Sequence, residues 1–327
     1  MRELEAPGSV DYETTRWLLR PDSIAITRAD LRGARGEAVS DDLSTPSTFV
    51  LLYREYLRYR WDVFELAFSQ DHEDWTTAMT ADERESFLGI AVSFHHGSRQ
   101  LEIDLPVFMI GAAEEHRLHL AAQIETQARH TTFFGRFLCE AVGVQCTNAM
   151  ELLDQTFPWV QETFIGPFGL LAHQAEELGR KPDDQLAQVR YGTTCFLWIE
   201  GVLAKSFLSV LMGFAAGRGL LPTFLVGARA TYLDHSRQVR GGLLFLQDAL
   251  RRDPAVVSEI HDTLHTILTV SGVSSRRSFH EPLGWSEDEM RLLVCSHLRR
   301  RCDVLGIALP ADLENLLVPI QQKDVGG

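Results

Sequence analysis

From about Thr48 onward, apolar side chains recur every three or four positions, the spacing of one helix face. Phe49, Leu52, Tyr56 and Tyr59 follow this spacing, and so do Leu88, Ala91, Val92 and Phe94. Runs of β-branched residues bounded by turns are scarce, which leaves little material for a sheet. Helix starts are marked by Thr80-Ala-Asp-Glu and by Ser286-Glu-Asp-Glu, each a hydroxyl followed three residues later by a carboxylate. Many of the twelve prolines, among them Pro106, Pro158, Pro167, Pro182, Pro222, Pro254, Pro282 and Pro310, read as element boundaries. The pattern predicts an all-α chain of roughly eight or more helices. Residues 1–45 are polar and aperiodic and read as an N-terminal arm. Residues 46–327 read as one helical domain, with C-terminal helices over about 255–320.

The chain has 327 residues, 45% of them hydrophobic, enough for a sizeable core. Its 31 Lys and Arg against 45 Asp and Glu give a net charge of −14, the wrong sign for nucleic acid. Arg299-Arg300-Arg301 reads as the charged last turn of a helix. The apolar stretch from Phe207 to Leu221 is broken by Gly213, Gly217, Arg218 and Gly219, so no membrane partner is expected. The first residues, MRELEAPGSVDYE, lack the apolar stretch of a signal peptide. Five cysteines without CxxC spacing are expected to be reduced thiols in a cytoplasmic protein.

Four stretches occur in an order that resembles a known family. They are Trp61-Asp-Val-Phe-Glu65 with Phe68-Ser-Gln-Asp71 and Asp74-Trp75, leading to a helix through Gly97 to Asp104; Leu120 to Leu138; Trp198-Ile-Glu-Gly-Val-Leu-Ala204; and Arg218 to Val239. Together they resemble the ribonucleotide reductase small subunit and its ligand-binding oxidase relatives, a branch of the ferritin-like superfamily. The resemblance covers roughly residues 55–250 and implies a ferritin-like bundle, with further helices after it. It also implies a bundle centre holding a metal site, and a homodimer. In such proteins a carboxylate, two Glu-x-x-His motifs and a further Glu surround two metal ions.

Carried onto this sequence, that ligand set is mostly replaced. The first-helix carboxylate falls at Ser98. The second-helix motif falls at Gln127 and His130, the third-helix Glu at Glu200, and the fourth-helix motif at His235 and Gln238. One carboxylate of four survives. Cys195 and Leu101 stand where the oxidase relatives place a Tyr and a Val that can be crosslinked. The tail Gln-Gln-Lys-Asp-Val-Gly-Gly carries no tyrosine for radical transfer.

Two readings of the centre stand open. His130, Glu200 and His235 form a two-His, one-carboxylate site for a single iron or manganese ion, serving an oxidase or oxygenase. Alternatively they bind no metal and serve small-molecule binding or acid–base chemistry. Either way the expectation is a small-molecule substrate in a buried pocket lined by Ser98, Leu101, Gln127, Cys195 and Gln238. Glu102, one turn after Ser98, is the minor candidate for a restored carboxylate. A carboxylate-bridged pair of ions is not expected, because one anion does not offset their charge. Asp234 is read as orienting an imidazole or pairing with an arginine, and Arg129 and Arg237 as structural ion-pair partners. His95 and His96, and His116 and His119, are read as partly solvated, and His261 and His265 as a pair lacking a third ligand.

Overall fold

The protein is described by a computed structural model, which covers residues 43, 47–271 and 279–309. The N-terminal arm lies outside these residues apart from Leu43, which packs against the core, and so does the tail from 310 onward. Among the described residues all regular structure is helical. The elements are α1 (Phe49–Tyr59), α2 (Ser69–Thr77), α3 (Ala81–Ile110), α4 (Glu114–Arg136), α5 (Ala149–Thr156) and α6 (Glu162–Arg180). They continue with α7 (Gln185–Gly192), α8 (Lys205–Arg218), α9 (Pro222–Arg252), α10 (Val256–Val270) and α11 (Glu287–Leu305).

Both marked helix starts are capping boxes. Thr80 accepts from Glu83 N–H while Glu83 accepts from Thr80 N–H, and Ser286 and Glu289 do the same for α11. The prolines divide. Pro222 opens α9 at its first turn, where a missing N–H costs nothing. Pro106 and Pro167 correct the boundary reading: they lie inside α3 and α6. Each forgoes one backbone bond, and packing of the long helices against their neighbours offsets the loss.

Helices α7 and α8 are joined by a π-helical run, Thr193–Ala204, so that Gln185–Arg218 is continuous over 34 residues. This helix is long and apolar enough to cross a membrane by length and composition, beyond what the stretch 207–221 suggested. All of its apolar window is buried inside the protein, and that burial accounts for the apolarity. It packs on α9, α11 and α10, while α3 packs on α4 and α6. One apolar cluster runs from Trp61 to Ile307 through all of these elements. Helix α9 approaches its neighbours closely at three glycines, Gly227, Gly241 and Gly242. A Cβ at Gly242 would lie 2.0 Å from Phe196 Cβ, and one at Gly227 would lie 2.1 Å from the Phe133 ring.

The aromatic run 133–137 faces inward, with Phe133, Phe134 and Phe137 fully buried against Phe224, Phe68 and Phe87. These rings hold the core. His116 and His119 are also buried rather than solvated, with His116 stacked on Phe49 at 4.2 Å. His95 is buried too, and His96 bonds Thr156 Oγ1 at 2.9 Å. His261 and His265 remain partly exposed, and His261 meets the Ala308 carbonyl at 3.0 Å.

The turn into α9 is fixed from α2. Asp71 accepts from Thr223 N–H at 2.9 Å and from Phe224 N–H at 2.6 Å, while Asp74 accepts from Leu221 N–H at 2.8 Å. Leu221 has φ +53°, the left-handed region that costs an ordinary residue about 1–2 kcal/mol. The two aspartates hold that turn and orient the helix that carries His235. Asp71→Ala and Asp74→Ala are each expected to lower stability by about 1–3 kcal/mol. An unchanged urea midpoint in both would show that the turn holds itself.

The buried histidines give a second expectation. Burial pushes His116 down to about 3, His95 and His130 to about 4, and His119 well below its ordinary value. In the unfolded chain they titrate near 6.5, so between about pH 6.5 and 4 the unfolded state binds more protons. Asp71, which burial lifts to about 6 despite its bonds, and Asp104, which burial also raises, oppose this, but the lowered histidines outnumber them. Thermal stability is expected to fall as pH drops through this window. Equal melting temperatures at the two ends of it would count against burial of these rings.

Candidate functional site

Four helices bring the polar residues of the centre together: α3, α4, the π-helical run and α9. Their polar positions fall at one level of the bundle, where water is excluded. Glu200, Gln127, His130 and Gln238 have no exposed surface, and Ser98 and His235 have almost none. Glu200 lies within the π-helical run, a local widening of the backbone that often accompanies functional sites.

Glu200 is fully engaged. Its Oε1 accepts from Gln127 Nε2 at 2.7 Å and from Gln123 Nε2 at 3.4 Å. Its Oε2 faces His235 Nδ1 in a close contact. Gln127 Nε2 also lies 3.5 Å from Gln238 Oε1. Thus the second-helix amide, the third-helix carboxylate and the fourth-helix imidazole and amide form one network.

His130 belongs to a second network around Asp234. Asp234 Oδ2 accepts from Trp61 Nε1 at 2.9 Å and faces His130 Nε2 at 3.2 Å, while Oδ1 pairs with Arg237 at 2.8 Å. Arg129 stands 3.8 Å from the same carboxylate and bonds Glu125 at 3.1 Å. Burial alone would raise the Asp234 carboxyl. Arg237, Arg129 and the His130 bond outweigh it and hold the group well below the usual carboxylate range. Asp234 therefore both orients an imidazole and pairs with arginine. Against an ionised Asp234, His130 Nε2 carries the proton and its Nδ1 keeps a lone pair. That Nδ1 is buried with no hydrogen-bond partner, as are His235 Nε2, Gln127 Oε1 and Gln238 Nε2. The His130 and His235 ring centroids are 5.1 Å apart.

The remaining expected positions separate. Ser98 and Leu101 line a cavity of about 20 Å³ with Gly97, Phe164, Phe168 and His235. That is room for one water-sized molecule, far below a drug-sized pocket. The expected substrate pocket is narrower than the residue pattern implied because Phe164 and Phe168 of α6 fill it. Gln127, Gln238 and Cys195 are buried but do not line this cavity. Burial pushes the Cys195 thiol well up, with Glu200 and Asp104 adding to the effect. Glu102 is turned to the surface, partly exposed and paired with Arg99 at 3.0 Å, so it does not restore a central carboxylate. Gln123 is a further member of the Glu200 network that the residue pattern left out. It lies one turn before Gln127 on the same face of α4, and that spacing was the available signal. Nothing in the residue pattern signalled the π-helical run.

No protein-family description matches the chain, and no curated protein matches it. Solved structures do. Two variants of an R2-like ligand-binding oxidase with an anaerobically reconstituted Mn/Fe cofactor superpose with TM-scores of 0.68 and 0.68 at 21% identity. The matches cover 83% and 84% of this chain and 96% of those chains. A further variant of the same kind gives a TM-score of 0.66 at 20% identity over 82% of this chain and 96% of that one. This chain has the ferritin-like, all-α fold of the R2-like ligand-binding oxidases.

Proposed function

We propose that the chain is a non-haem oxidase or oxygenase of the ferritin-like kind, acting on a small organic molecule at the bundle centre. A single iron or manganese ion, held by His130, Glu200 and His235, is the cofactor of this reading. The observation that carries it is the state of His130. Its Nε2 is anchored on an ionised carboxylate and its buried Nδ1 is unpartnered, the posture of a metal-binding imidazole with its orienting carboxylate. His235 Nε2 is a second buried nitrogen without a partner.

The two-ion cofactor of the structural neighbours does not fit this donor set. Two divalent ions bring at least four positive charges, and Glu200 is the only carboxylate among the carried-over ligand positions. Asp234 is committed to Trp61, His130 and Arg237. Uncompensated charge in such an interior costs several kcal/mol per ion. Among the described residues no three His, Cys, Asp or Glu side chains are grouped as a ready-made metal site, and Glu200 and His235 face one another. A single ion therefore competes with that contact. Bound there, it would supply one-electron chemistry and open positions for dioxygen. The chain's own groups do the rest. Asp234 fixes the His130 tautomer, Gln127 and Gln123 orient the Glu200 carboxylate, and Ser98 and His235 border the small cavity.

A second reading rests on the engagement of Glu200, whose two oxygens already have protein partners. Here Glu200 and His235 pass a proton between them and the centre binds a small molecule without metal. The homodimer and the cytoplasmic location stay part of the proposal, and light scattering at micromolar concentration tests the former.

Metal analysis separates the two readings. After purification with added iron and manganese, the first expects up to one ion per chain, removable by a chelator and lost in His130→Ala and His235→Ala. No ion above background selects the metal-free reading, and two tightly held ions per chain overturn both. A restored variant, with Ser98→Glu, Gln127→Glu, His235→Glu and Gln238→His, is expected to bind two ions per chain. A folded restored variant that binds none would break the assignment of these positions to one centre.

Where the centre is catalytic, with or without a metal, Glu200→Gln is expected to abolish turnover. It removes the only carboxylate of that network while keeping its shape. Near-normal turnover in a folded Glu200→Gln protein places the chemistry elsewhere.

A further inference from the structure

Away from the bundle centre, two of the five cysteines stand together. Cys139 Sγ and Cys146 Sγ are 3.4 Å apart, and both side chains are partly exposed. They flank a small apolar cluster of Val92, Leu138 and Leu152, separate from the main core. Cys139 lies in the π-helical turn Phe137–Val142 that ends α4, and Cys146 lies in the connection before α5. The reversal that brings them together does not depend on the sulfurs. Gly143 adopts φ +90°, open to glycine at no steric cost, and Val144 N–H donates to the Leu138 carbonyl at 3.0 Å. The other three cysteines, Cys195, Cys295 and Cys302, are buried.

We infer that Cys139 and Cys146 are a redox-active pair that closes into an intrachain disulfide when a hydroperoxide is present and reopens with a thiol reductant. The sulfurs need to approach by about 1.4 Å to reach bonding distance. In the first step one sulfur attacks a peroxide oxygen. The O–O bond breaks, a sulfenic acid forms and water, or an alcohol from an organic peroxide, leaves. In the second step the other sulfur attacks the sulfenic sulfur. The S–O bond breaks, the S–S bond forms and a second water carries away the hydroxyl and the thiol proton. The two sulfurs together lose two electrons and the peroxide gains them. Burial pushes the Cys139 thiol up, which keeps it protonated near neutral pH.

The bond would tie the connection before α5 to the end of α4. It closes a short ring over residues 139–146, so it stabilises mainly by restricting the unfolded chain. The inference is independent of what the bundle centre binds.

The test uses the full chain, reduced, desalted, exposed to hydrogen peroxide and then blocked with a maleimide. No Lys or Arg lies between the two cysteines, so one tryptic peptide, Phe137 to Arg180, holds both. After peroxide this peptide is expected to be lighter by two hydrogen atoms and to take no maleimide, and dithiothreitol is expected to restore two labels. The melting temperature is expected to rise by roughly 3–5 °C on oxidation. That rise should be absent in Cys146→Ser and in Cys139→Ser. Two labels retained after peroxide, a sulfinic acid on either cysteine, or a disulfide between chains would each overturn the pairing. The mass of the wild-type peptide decides the question even if a variant fails to fold.

Discussion

A buried anion, Asp234, is the point on which the bundle centre is hung. One carboxylate on α9 meets the indole N–H of Trp61 from the segment before α2, the His130 ring from α4, and the guanidiniums of Arg237 and Arg129. Taking that charge out of water is costly, and only this complete set of partners offsets it. The arrangement is therefore mutually required. Without Asp234, two nearly buried arginines face each other across α4 and α9 with no anion between them. Without the arginines, burial would drive the carboxyl to hold its proton, and His130 would lose the acceptor that fixes its tautomer. The position of the His130 lone pair is a consequence of this ion cluster.

The second network inherits its geometry from the first. With α4 and α9 fixed at Asp234, Gln127 lies one turn before His130 and His235 lies next to Asp234, so both reach Glu200. The π-helical run then decides where Glu200 points. Its wider turn changes the angle between successive side chains relative to an ordinary helix, and the run covers Thr193 through Ala204. The close approach of Gly242 to Phe196 holds this run against α9 and leaves no room for a shift.

Much of this was legible in the sequence, and the reasons for the rest are physical. Capping boxes at Thr80 and Ser286 are local chemistry, so four residues sufficed to read them. Helical periodicity and the four ordered stretches gave the all-α bundle and brought Gln127, His130, Glu200, His235 and Gln238 to one level. Pro106 and Pro167 misled because a proline inside a helix costs one bond, which long-range packing can outweigh. The engagement of Glu200 by Gln123 was readable only once the facing helices were placed. The size of the cavity was not readable at all, since it depends on two rings of α6 that arrive from a distant part of the chain.

Neutral side chains at the bundle centre also change what the fold costs. Four carboxylates crowded in a dry interior repel one another unless cations or protons intervene. Here Ser98, Gln127 and Gln238 are neutral, and each carries groups that hydrogen-bond. Gln127 supplies an amide N–H to Glu200 directly, and His235 supplies or accepts the proton on its other side. The centre is therefore held by protein–protein hydrogen bonds where a carboxylate-rich one would need metal ions to hold it. That removes the folding penalty that ties such sites to their cofactor, and it weakens the claim of any ion on Glu200 by the energy of the bonds the ion must replace. The unpartnered nitrogens of His130 and His235 run the other way, since each is a buried polar atom that gains from a ligand. The balance between those two terms sets whether the bundle centre takes up a cation or a polar small molecule.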